Sequence, residues 1–97
     1  MAAQAARPGY IEEKEKVRNR LRRISGQVGG LERMVEEERY CVDILTQISA
    51  VQAALDRVAL ALLDEHARHC VVGAKTAGER DEKTAEMMEA VGRLLNR

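Results

Sequence analysis

An all-α fold is predicted by three observations. Apolar residues recur four and three apart along two long stretches, no Gly or Pro occurs in residues 31–72, and the 97-residue chain has no Phe, no Trp and only two Tyr. Four-three spacing is the signature of a helix packed along another helix. Without large aromatics, packing falls to Leu, Val, Ile, Met and Ala on helix faces. A 45% hydrophobic and 33% charged content fits a soluble helical chain better than a disordered one.

Residues 1–10 read as a flexible arm, with Pro8 and Gly9 near its end, and residues 11–97 as a single helical domain. The first helix starts at about Ile11, its seam formed by Val17, Leu21, Ile24, Val28, Leu31 and Val35. A second seam runs through Cys41, Ile44, Ile48, Val51, Leu55, Val58 and Leu62. The step of six from Val35 to Cys41 breaks phase with the first, which predicts a turn over residues 36–40. The second helix then extends to about Val71 and closes at Gly73. Residues 75–80 read as a loop, and a third helix over residues 81–96 carries Met87, Met88, Val91, Leu94 and Leu95. Three helices this unequal close poorly on themselves. Two copies of the long pair would form an antiparallel four-helix core.

No apolar run approaches the ~20 residues that span a bilayer, and the first residues lack the apolar core of a signal peptide. No membrane association is expected. Cytoplasmic residence is the default, with the two cysteines as reduced thiols.

The net charge is zero but unevenly spread: residues 14–23 hold Lys14, Lys16, Arg18, Arg20, Arg22 and Arg23 against one acid, Glu15. With the seam inward, Lys14, Arg18 and Arg22 line one flank and Lys16, Arg20 and Arg23 the other. Repeated in an oligomer, such flanks suit a polyanion. The competing reading is a solvated coiled-coil flank, the commoner fate of charged residues beside a seam. The scarcity of aromatics argues against single-stranded targets. Gly26, Gly29 and Gly30 interrupt the same helix and imply either close backbone approach or a local kink.

Cys41, His66 and Cys70 carry the other chemistry. At about 100° per residue, His66 and Cys70 fall roughly 20° to either side of the Cys41 direction. A single helix would nevertheless hold Cys41 about 38 Å from His66. Two such helices packed antiparallel as a homodimer would bring Cys41 of one chain beside His66 and Cys70 of the other. Two thiolates and one imidazole suit Cu(I) or Zn(II), and the lack of a nearby fourth ligand favours Cu(I). Cys41 opens its helix, where free N–H groups stabilise a thiolate. His69 points roughly 80° away and reads as a bystander. The competing reading is two ordinary cysteines and a surface His. Tyr40 and Glu86 are candidates to orient a metal-bound His. No Gly-rich loop, oxyanion turn or third orienting group accompanies a Cys–His pair, so catalysis is not expected.

With these residues in view, the chain resembles the copper-sensing operon repressor family over residues 12–95. The resemblance is carried by Arg20-Leu-Arg-Arg-Ile-Ser-Gly-Gln-Val-Gly-Gly-Leu-Glu-Arg-Met34, by the run from Arg39-Tyr-Cys41 to Leu55, and by Asp64-Glu-His-Ala-Arg-His-Cys70. It implies a homotetramer, a dimer of antiparallel dimers, that represses a copper-resistance operon by binding double-stranded operator DNA. It implies one Cu(I) per protomer at the subunit interface, held by Cys41 of one subunit and His66 and Cys70 of its neighbour. Glu86 would accept from the free His66 nitrogen, and Tyr40 would stand beside the site. Arg20 and Arg57 fall where such repressors contact DNA, with Arg18, Arg22 and Arg23 extending the surface. Cu(I), delivered by a copper chaperone, would release the operator.

Nickel and cobalt sensors of this kind carry His in place of Cys70, and persulfide sensors lack a counterpart of His66. Formaldehyde-responsive members do not need Cys70. Copper fits best. One departure is Gly29, where many relatives carry a basic residue. Two other functions remain open at this point: a thiol-stress repressor that cross-links Cys41 and Cys70, and a cytosolic copper buffer without DNA function.

Overall fold

The computed structural model describes residues 8–96, and every regular element among them is a helix. A 3-10 turn, Ile11–Glu13, leads into α1, Lys14–Glu36. Then come α2, Cys41–His66, a π-helical stretch, Ala67–Val72, and α3, Ala77–Leu95. The three expected helices are present. Of the expected N-terminal arm, residues 1–7 lie outside the described residues.

The turn after α1 falls where the phase slip places it, and its chemistry explains why no glycine marks it. Arg39 N–H donates to the Met34 carbonyl at 2.9 Å and Glu38 N–H to the Val35 carbonyl at 3.0 Å. These two bonds make a Schellman motif. Its left-handed position, commonly glycine, is Glu38, at φ 56°. A side chain is strained there.

The third helix begins at Ala77, earlier than the expected residue 81. Thr76 is extended and its hydroxyl accepts from Glu79 N–H at 3.1 Å, capping the helix. The signal was Thr76-Ala-Gly-Glu79, half of a capping box, with Gly78 masking the helical pattern.

The chain divides into two compact units. One is Glu13–Leu60: α1, its turn and most of α2. Gln27 and Met34 of α1 line a recess with Gln47 of α2, as in an antiparallel helical hairpin. Its buried hydrophobic residues are Ile24, Val51 and Val58. The other unit holds residues 8–12, the end of α2, the π-helical stretch and α3, which packs against that stretch. None of its described residues is fully buried. No helix among the described residues is long and apolar enough to cross a membrane.

Candidate metal centre and basic face

Cys41 is the first residue of α2 and His66 the last, so the two sit at opposite ends of one 26-residue helix. Cys41 is exposed and follows Tyr40, itself exposed, whose carbonyl accepts from the N–H groups of Asp43 and Ile44. Cys70 is half-buried and lies within the π-helical stretch that continues from His66. π-helical turns are rare and concentrate at functional sites. Here the wider turn re-aims Cys70 relative to His66. The stretch ends at Gly73, where a Cβ would stand 2.7 Å from the His69 carbonyl oxygen.

His66 carries the clearest sign of an incomplete site. Its Nε2 is buried and has no hydrogen-bond partner among the described residues. The nearest acid is Glu86 on α3, whose Oε1 lies 3.9 Å away, beyond hydrogen-bond range. Buried imidazole nitrogens normally have partners, so an orphan calls for an explanation. A ligand on the ring's other nitrogen would supply one, because metal-bound His is normally fixed by a carboxylate on its second N–H. His69 Nε2, by contrast, is not orphaned: it pairs with Glu65 Oε2 at 3.0 Å.

The chain also packs closely behind this site. A Cβ on Gly9 would sit 2.8 Å from the Glu65 carbonyl oxygen and 3.1 Å from His66 Cα. Glycine therefore lets the segment before the 3-10 turn lie directly on the backbone that bears His66. Neither this contact nor the π-helical turn leaves a periodic mark in the sequence.

His66, Cys70 and Glu86 thus belong to one unit, and Cys41 and Tyr40 to the other. Among the described residues, no three His, Cys, Asp or Glu side chains gather within the chain to hold a metal.

The basic residues of α1 lie in the Glu13–Leu60 unit. Lys16 pairs with Glu13 at 3.5 Å and Arg18 with Glu15 at 3.3 Å. Arg20, Arg22 and Arg23 are exposed, and none of them is ion-paired among the described residues; Arg57 on α2 is exposed too. Among the described residues a Cβ on Gly26 would meet nothing within 4 Å, and one on Gly29 or Gly30 would meet the Arg33 guanidinium at 3.9 or 3.7 Å. Since α1 runs unbroken through all three glycines, they do not end or interrupt it.

Known proteins resemble the chain over most of its length. The profile of the family described as metal-sensitive transcriptional repressor matches residues 13–93. The copper-sensing transcriptional repressor RicR of Mycobacterium tuberculosis is 53% identical over 89 residues, covering 90% of this chain and 93% of that protein. The copper-sensing transcriptional repressor CsoR of Bacillus subtilis is 54% identical over 78 residues, covering 80% of this chain and 77% of that protein. Among solved structures, the copper-sensing repressor CsoR with Cu(I) from Geobacillus thermodenitrificans superposes with a TM-score of 0.80 at 48% identity. That match covers 87% of this chain and 88% of the other. With sequence, fold and extent in agreement, the chain belongs to the family of metal-sensitive transcriptional repressors.

Proposed function

We propose that the protein is a cytoplasmic Cu(I)-responsive repressor that binds the operator of a copper-resistance operon and leaves it when Cu(I) binds. The observation that carries this reading is the orphaned His66 Nε2 facing Glu86, one turn before a second soft donor, Cys70. The third donor, Cys41, stands at the far end of α2 and reaches this pair only from another copy of the chain.

The face of α2 supports such an assembly. At about 100° per residue, Leu45, Ile48 and Leu55 lie within roughly 40° of the Cys41 direction. All three are exposed, whereas the buried Val51 and Val58 point some 80–100° away. The apolar surface left uncovered thus includes the face that carries the proposed ligands. An antiparallel pair of α2 helices would cover it and join Cys41 of one protomer to His66 and Cys70 of the other. One Cu(I) per protomer follows from that symmetry, and pairing of dimers into a homotetramer follows the family resemblance.

Two thiolates and an imidazole give Cu(I) a soft, low-coordinate site. Glu86 would take the His66 N–H and tie α3 to the metal's presence. Arg20, Arg22, Arg23 and Arg57, with Arg18 once released from Glu15, would meet phosphates. Copper acts through its coupling to this surface, which in allosteric proteins commonly amounts to about 1–3 kcal/mol.

The test is operator binding by fluorescence anisotropy, performed anaerobically with a duplex from the protein's own promoter. Binding that one Cu(I) per protomer abolishes, together with a His66→Ala variant that binds DNA but ignores copper, is the expected result. Operator binding that ignores copper and yields to persulfide would replace this reading with a thiol sensor. Copper binding without any DNA binding would replace it with a buffer.

A further inference from the structure

Within the basic segment of α1, one residue has the wrong sign for its surroundings. Glu15 is the single acid among residues 14–23. At about 100° per residue it lies roughly 180° from Ile24, the buried residue of α1. It therefore stands on the outward pole of the helix, between the Lys14–Arg18–Arg22 flank and the Lys16–Arg20–Arg23 flank. Its carboxylate is exposed and pairs with Arg18 Nη1 at 3.3 Å.

Nothing in the fold of this unit requires the pair. Both side chains are more than half exposed, and an exposed pair of this kind is only weakly held. Its consequence is electrostatic. A carboxylate on the outward pole of a phosphate-binding helix repels the ligand and occupies a cation that would otherwise meet it. We propose that Glu15 is a built-in counter-charge that holds operator affinity below what the six cations would otherwise give. This rests on the reading of α1 as the operator-binding face. On binding, Arg18 exchanges Glu15 for a phosphate, and Glu15 is left among like charges. A repressor limited in this way is easier for a metal to release.

The test uses the full chain, free of copper, in anisotropy titrations of the promoter duplex over a series of salt concentrations. Glu15→Gln removes the charge and keeps the shape. Glu89→Gln is the control, because Glu89 makes the same kind of exposed pair with Arg93 at 3.4 Å on α3 and changes net charge equally. Glu15→Gln is expected to bind about three- to tenfold tighter near 0.1 M salt, with a steeper salt dependence. A duplex of unrelated sequence should gain by a similar factor, since phosphate contacts carry no sequence information. Glu89→Gln should match wild type.

Equal affinity for Glu15→Gln and wild type would overturn the proposal, as would equal tightening by both variants. An Arg20→Ala/Arg22→Ala protein separates the two levels of the argument. If it binds as well as wild type, the operator face itself is misassigned and Glu15 falls with it. If it binds poorly while Glu15→Gln changes nothing, only the counter-charge is refuted. Circular dichroism of each variant confirms that helicity is retained.

Discussion

His66 and Glu86 show how a single pair of side chains can stop short of an interaction that a ligand would complete. The 3.9 Å between His66 Nε2 and Glu86 Oε1 leaves an ionisable carboxylate close to a buried nitrogen without a hydrogen bond between them. If Cu(I) binding draws the ring and the carboxylate together, Glu86→Gln will lower Cu(I) affinity by about tenfold. Operator binding without copper should be untouched. Competition against a chromophoric Cu(I) chelator measures the first and anisotropy the second; unchanged copper affinity would show that the carboxylate does not orient the ring. The backbone behind the site is just as constrained. Gly73→Ala would push a Cβ to 2.7 Å from the His69 carbonyl oxygen, a backbone atom with little room to retreat. We expect a loss of ~1–3 kcal/mol in urea unfolding, typical of overpacking. A change within about 0.5 kcal/mol, as at an unconstrained surface position, would contradict the close approach.

Helix ends show what was legible in the sequence and what was not. Phase was legible: the six-residue step from Val35 to Cys41 located the first turn although no glycine stands there. Hydrogen-bond chemistry was less so. The Schellman closure on Glu38 uses a residue that no turn rule would choose, and the Thr76 cap lay beneath a Gly78 that reads as loop. The proposed ligands, Cys41, His66 and Cys70, stand in the sequence as soft donors on one helical face. The π-helical winding of Ala67–Val72, which packs against α3, was not legible, because no local spacing marks it. Both ends can be tested by thermal or denaturant unfolding. Thr76→Ala should cost about 1 kcal/mol by losing the bond to Glu79 N–H. Glu38→Gly should instead stabilise, by ~0.5–1 kcal/mol, because glycine accepts φ 56° without the side-chain penalty. A destabilising Glu38→Gly would mean that the Glu38 side chain contributes more than its backbone strain costs.

For the molecule as a whole, the balance of buried and exposed apolar residues argues that one chain is not the folded unit. Among the described residues only Ile24, Val51 and Val58 are buried hydrophobics, while Val28, Val35, Leu45 and Leu60 are each at least half exposed. A domain of about this size depends on efficient burial to offset chain entropy, and three buried side chains fall well short. If association supplies the missing burial, it would also complete the proposed metal site, because the exposed strip of Leu45, Ile48 and Leu55 shares its helix face with Cys41. Stability bound to association depends on protein concentration. The melting temperature should rise with concentration, and the loss of helix should coincide with dissociation in sedimentation experiments. Leu45→Glu sharpens the test. An acid at a position that is 59% exposed within one chain should be nearly neutral if that surface faces water, within about 0.5 kcal/mol. If the strip lies between subunits, the same substitution buries a charge at the interface. It should then dissociate the assembly and abolish Cu(I) binding, even though Leu45 is not a ligand.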